Sequence, residues 1–149
     1  MKPAVDRLEE RLGQKLTFVK LEVQSEVGKL LYVEYEANLV PTFIMFDQYG
    51  ATQYRTNGVP EYSLINSKLL LNSIPHSLLN KVDKAMYISE RRWDIILKNG
   101  LYLKLAENKI SDSLENYIKI IKNISNDELK KIESIDLRIP NKAIIKFIK

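Results

Sequence analysis

The sequence predicts an α+β protein in two segments, and three observations carry that expectation. Helical and alternating apolar patterns succeed one another along all 149 residues. At 45% hydrophobic and 28% charged, the composition is that of a globular chain. The charge balance changes sign at Gly58-Val59-Pro60, a turn-forming triplet. Residues 1–60 carry seven Lys/Arg against eight Asp/Glu, a net of −1, whereas residues 61–149 carry sixteen against eleven, a net of +5. The expected segments are therefore 1–58 and 59–149.

Pro3 occupies a first-turn position, where a helix tolerates proline. Val5, Leu8 and Leu12 follow at helical spacing, and Gly13 supplies the stop. Residues 15–23, KLTFVKLEV, alternate apolar and polar side chains and read as a strand. Residues 25–37 read as a short helix despite Gly28, with Ser25 as its N-cap. TFIMF (42–46) is a continuous apolar run, as a buried strand should be, and ATQYRTNGV (51–59) pairs back across Gln48-Tyr49-Gly50 as a hairpin.

In the second segment, residues 62–74 read as a helix ended by Pro75. The stretches 82–88, 92–100 and 101–107 form an antiparallel meander, with Asn99-Gly100 as a strong hairpin signal. Residues 111–124 place Leu114, Tyr117, Ile118 and Ile121 on one helical face. Ser125 and Glu128 have the spacing of a capping box, which opens a second short helix. SIDLRIP (134–140) and KAIIKFIK (142–149) read as two closing strands about a Pro140-Asn141 turn.

Several function classes find no support. The chain contains no cysteine, which removes disulfides, thiol catalysis and thiolate metal sites together. His76, the one histidine, has no metal-ligand spacing around it. The G-x-S-x-G, G-x-G-x-x-G, P-loop and H-E-x-x-H motifs do not occur, and no carboxylate pair stands out. These points argue against an enzyme and imply no cofactor and no metal. The lysines are scattered among apolar residues rather than clustered, which argues against nucleic acid. No uncharged apolar run approaches the roughly 18–20 residues that span a bilayer, and the N-terminus lacks a signal-peptide core. As written, the chain carries no address and is expected in the cytoplasm.

Residues 1–60 resemble the C-terminal part of thioredoxin. The stretches that carry the likeness are MKPAVDRLEERLGQKLTFVKLEV and VPTFIMFDQYGATQYRTNGV. Pro3, Pro41 and Gly58 fall at that family's helix proline, cis-proline and last-strand glycine. The resemblance implies a truncated helix-strand-helix-hairpin that lacks the Cys-x-x-Cys segment and its central strand. The strands expected at 15–23 and 42–46 would then each have an unpaired edge, which favours self-association. Pro41 is expected to be structural, with a redox-inactive protein or fragment binding extended peptides as the alternative function.

From about residue 58 onward, ISERRWDIILKNGLYLKLAE and IESIDLRIPNKAIIKF resemble the C-terminal β domain of the cell division protein FtsQ/DivIB. Arg91-Arg92-Trp93, Asn99-Gly100, Lys104-Leu105 and Ile135-Asp136-Leu137-Arg138 keep the family's order, while Ala106 replaces a common proline. The resemblance implies an antiparallel β domain with flanking helices, working as a non-enzymatic divisome scaffold. It also implies a place on the periplasmic side of the inner membrane and an FtsB/FtsL-like protein partner.

Trp93 reads as a structural core aromatic, and Asp136 as half of an ion pair with Arg138 on the same side of a strand. The final strand carries Ala143, Ile145 and Phe147 on one side and Ile144 and Ile148 on the other. Such a strand is either a two-sided core strand or an edge that accepts a partner strand. On the second reading, and by motif position, the partner contacts are Arg138, Ile139, Ile145 and Phe147.

Overall fold

The computed structural model describes residues 2–148, and the chain divides into two compact units, residues 1–66 and 67–149. The boundary falls within helix α3 (Tyr62–Ser73), a few residues beyond the composition shift.

The first unit contains α1 (Lys2–Leu12), α2 (Glu26–Glu34) and a hairpin of β1 (Thr42–Phe46) and β2 (Thr52–Asn57). Leu8 and Leu12 are the buried face of α1. The stop at Gly13 has a steric cause, because a Cβ there would lie 2.8 Å from the Glu9 carbonyl oxygen. Gly28 is required even more strictly. Its backbone sits so close to the Glu22 carbonyl that a Cβ would approach to 1.8 Å. Ser25 caps α2 as expected, its Oγ accepting from the Gly28 N–H at 3.0 Å.

The strand expected at 15–23 is absent, and this corrects the sequence reading. Residues 16–22 form no ladder with any described residue. Alternation supplies strand propensity, but a strand also needs a neighbour for its backbone groups. Here Lys20 is instead drawn to α1, with its Nζ 2.8 Å from Asp6 and 2.5 Å from Glu9, while Val19 and Leu21 face solvent. Those two carboxylates raise the Lys20 pKa.

The β1–β2 hairpin forms where expected, pairing Thr42 with Asn57 through Met45 with Tyr54. Asp47 builds its turn by accepting the Tyr49 and Ala51 N–H groups, both at 2.9 Å. Gly50 takes the left-handed conformation that the turn demands. The Val40–Pro41 peptide is cis, the geometry the thioredoxin likeness implies.

The second unit adds α4 (His76–Leu79), β3 (Val82–Ile88), β4 (Arg92–Leu97), β5 (Tyr102–Lys104), α5 (Ile110–Ile121), α6 (Asn126–Leu129), β6 (Ile132–Asp136) and β7 (Ile144–Phe147). Its five strands form one sheet in the order β3-β4-β5-β6-β7. The pairs are antiparallel as expected, except β5–β6, which is parallel with Leu103 opposite Ile135. A parallel pair needs a long crossover, and α5 and α6 provide it. The capping box that opens α6 is present, with the Ser125 N–H donating to the Glu128 carboxylate at 3.0 Å and Ser125 Oγ accepting the Glu128 N–H at 3.3 Å. Of the last strand's expected residues, Lys149 lies outside the described ones.

One face of the sheet carries the core. Ile95, Leu97, Leu103, Leu105, Ile135 and Leu137 pack there with Leu70, Ile74, Leu78, Leu114 and Tyr117 from the helical segments. Trp93 is half-buried against this core, its ring 4.8 Å from that of Tyr87. Ser113 on α5 ties helix to sheet, accepting from the Ala106 N–H at 3.1 Å and facing the Leu137 carbonyl at 3.2 Å.

The other face is polar. Ladder register aligns Met86, Asp94, Lys104, Asp136 and Ile144 in one row across all five strands. Asp94 is fully buried within it, accepting from Arg92 at 3.2 Å and from the Tyr102 hydroxyl at 2.8 Å. Burial first, and then the hydrogen bond to Asp94, push the Tyr102 phenol up. Replacing Asp94 with Ala leaves a half-buried guanidinium and a phenol without their acceptor. The expected loss is about 3 kcal/mol of unfolding free energy, with Asp94→Asn losing only about 1, as read by urea denaturation.

Candidate partner-binding edge

The free side of β7 is the candidate site. The strand ends the sheet, pairing Asp136 with Ile144, Ile135 with Ile145 and Ser134 with Lys146. The register then slips so that Ile132 lies opposite Phe147, which puts a bulge in β6 and leaves β7 regular. Ile148 donates its N–H to the Lys131 carbonyl at 2.8 Å. Backbone groups alternate sides along an antiparallel strand. Residues 144, 146 and 148 therefore face β6, while the N–H and C=O groups of Ile145 and Phe147 point outward.

The side chains explain why the strand is apolar on both faces. Ile145, with Ala143, packs on the core. Ile144 and Ile148 lie on the opposite face at 59% and 60% exposure, and Phe147 is 56% exposed at the strand's end. Ile139 begins the turn into β7, which closes through the Lys142 N–H to the Ile139 carbonyl at 3.1 Å, with Asn141 left-handed. A core strand covered on two sides is not what these residues form.

Arg138 is held rather than free. Its Nη2 lies 2.6 Å from Asp136 Oδ2 and its Nε 2.9 Å from Oδ1, a bidentate pair two residues apart. The side chain of Asp136 is 15% exposed and that of Arg138 48%. The guanidinium holds the Asp136 carboxyl below the usual carboxylate range, and the Arg138 pKa is raised in turn.

Of the residues singled out from sequence, Asp136, Arg138 and Ile139 lie at and just beyond the C-terminal end of β6, Ile145 lies on β7 opposite Ile135, and Phe147 lies at the far end of β7, opposite Ile132. Trp93 belongs to β4, and Pro41 to the first unit. Sequence reasoning missed the Arg92–Asp94–Tyr102 network. Arg92 and Asp94 do share a strand face by their spacing, as do Tyr102 and Lys104, but only the register joins the two pairs.

An α+β domain with helices on one face of a five-stranded, mainly antiparallel sheet and a free last strand is the class these features define. The family described as "Cell division protein FtsQ/DivIB, C-terminal" matches residues 26–138, more than half of the 149. The chain belongs to this family of cell division proteins. It is 30% identical over 69 residues to the cell division protein FtsQ of Rickettsia felis, covering 46% of this chain and 26% of the relative. It is 30% identical over 70 residues to FtsQ of Bradyrhizobium diazoefficiens, covering 45% of this chain and 20% of the relative. The match thus spans about a quarter or less of each relative's length. The family match begins at residue 26, well before the boundary at 58 drawn from composition, and ends at 138, before β7. Among the described residues, no helix is long and apolar enough to cross a membrane.

The lowered Asp136 pKa sets a pH dependence. A carboxyl depressed on folding stabilises above its unfolded pKa of about 3.9, and that contribution disappears as pH falls through the folded value. Asp136→Asn is expected to cost about 0.5–1 kcal/mol at pH 7. The gap between variant and wild type should close at about pH 2, read by urea denaturation at both.

Proposed function

We propose that the chain is a non-enzymatic interaction module of the bacterial division machinery that binds a protein partner by strand addition at β7. The observation that carries this reading is the open outer edge of β7. Its outward backbone groups sit beside exposed Ile144, Phe147 and Ile148. Main-chain hydrogen bonds would supply affinity, and alternate side chains would set the register. Membership of the FtsQ/DivIB family supports a division role. The partner proposed is FtsB/FtsL-like, on the periplasmic side of the inner membrane.

Each contact residue has a part in this reading. Ile145 and Phe147 present the outward N–H and C=O groups to the incoming strand. Phe147 and Ile139 offer apolar side chains at the two ends of the edge. Arg138, fixed by Asp136, presents a cation of set position near the β6–β7 turn.

The test is titration of the full chain with the extracytoplasmic segment of the same organism's FtsB-like protein. Saturable binding is expected, weakened about tenfold by Phe147→Ala, which corresponds to about 1.4 kcal/mol. Ile145→Pro, which deletes an outward N–H without touching the β6 ladder, should weaken it further. Absence of binding by a chain that circular dichroism shows to be folded would overturn the proposal.

A further inference from the structure

A second open edge lies in the first unit, and it has no counterpart in the reading just given. The peptide group of Pro41 is tied to β2, its carbonyl accepting the Gly58 N–H at 2.8 Å. By the alternation of an antiparallel ladder, Phe43 and Met45 also turn their backbone groups to β2. Thr42, Ile44 and Phe46 turn theirs away, toward no described strand. The same unit has a slot of about 600 Å³, lined by Lys20, Leu21, Glu22, Val23, Gln24 and Val40, the last of these lying two residues before β1. It borders the segment that sequence predicted as a strand and that forms no ladder.

The edge is also unguarded. Proteins blunt outer strands with charge, especially lysine. Among the described strands, four are outermost: β1, β2, β3 and β7. Arg55 lies on β2, Asp83 and Lys84 on β3, and Lys146 on β7, whereas TFIMF carries no charge at all. Lys20, the nearby cation of the slot, is already neutralised by Asp6 and Glu9.

We infer that β1 pairs with β1 of a second copy of this chain. The pairing is antiparallel about a two-fold axis at Ile44, giving a four-stranded sheet β2-β1-β1-β2. An isologous contact must be self-complementary, and this one is. Ile44 meets its own copy as a hydrogen-bonded pair, and Thr42 meets Phe46. Phe43 meets Met45 on the other face. No like charges oppose one another across the seam. In this register the Asp47–Tyr49 turn of each copy comes opposite Val40 of the other, at the slot, where Leu21 and Val40 are 50% and 64% exposed. A five-residue seam is smaller than the ~800 Å² per partner of a standard interface, so the dimer is weak and concentration-dependent.

Sedimentation velocity of the full chain from about 1 to 200 µM, a range bracketing a micromolar Kd, tests this, together with amide hydrogen exchange. A monomer-to-dimer transition is expected, with the Ile44 and Phe46 amides gaining protection as dimer forms. The double variant Leu21→Lys/Val40→Lys changes only exposed side chains and should raise the dimer Kd at least about tenfold. Ile44→Pro, which removes an outward N–H and no hairpin bond, should leave a monomer. Phe147→Ala should leave the dimer unchanged. A monomer at every concentration would overturn the inference, as would a dimer indifferent to the double variant. Loss of the dimer in Phe147→Ala would overturn it too, assigning self-pairing to β7.

Discussion

The parallel pairing of Tyr102–Lys104 with Ser134–Asp136 is the constraint on which the second unit depends. Strands that run the same way cannot be joined by a tight turn, so α5 and α6 must carry the chain from the end of one to the start of the other. That crossover needs a sheet face to lie on, and the apolar residues of β4, β5 and β6 supply it through Ile95, Leu103 and Ile135, all fully buried. The helices therefore gather on one face. The opposite face is left to Arg92, Asp94, Tyr102, Lys104 and Asp136. With β5 and β6 central, the last strand has only one side on which to add, and β7 becomes an edge.

The polar face illustrates how burial sets the value of a carboxylate. Asp94 and Asp136 occupy the same cross-strand row on either side of Lys104. Asp94 is sealed from water and takes both an arginine and a phenol as partners. Removing its charge leaves those partners without compensation in a medium of low dielectric. Asp136 sits nearer solvent, and its pair with Arg138 gains little net energy there. Its effect is positional, because a bidentate fork fixes the guanidinium where the chain turns toward β7.

The two open edges differ in how they are protected. β7 carries Lys146, which pairs with Glu133 at 2.8 Å, and a bulge in its neighbour increases the local twist. Such an edge resists indiscriminate pairing, although the backbone groups of Ile145 and Phe147 still point outward. β1 has neither device. Its continuous apolar run is the composition of a strand with neighbours on both sides, and the hairpin supplies a neighbour on one side alone.

By itself the sequence determined the elements whose signals are local. These include the Ser25 and Ser125 caps, the Gln48-Tyr49-Gly50 and Asn99-Gly100 turns, the amphipathic helix α5 and the α+β class. It also determined the family, since the residue order in 88–107 and 132–138 lies within the matched stretch. Tertiary structure decided what depends on a distant neighbour. Residues 15–23 alternate as a strand does, yet Lys20 has its partners on α1 and the backbone pairs with no described strand, so no strand forms. Ile144 and Ile148 look like core residues until β7 proves to be outermost. Asp94 and Tyr102 share no sequence motif and meet only through the β4–β5 register. Propensity and capping act within a few residues, whereas ladders, edges and buried charges are settled by which segments lie side by side.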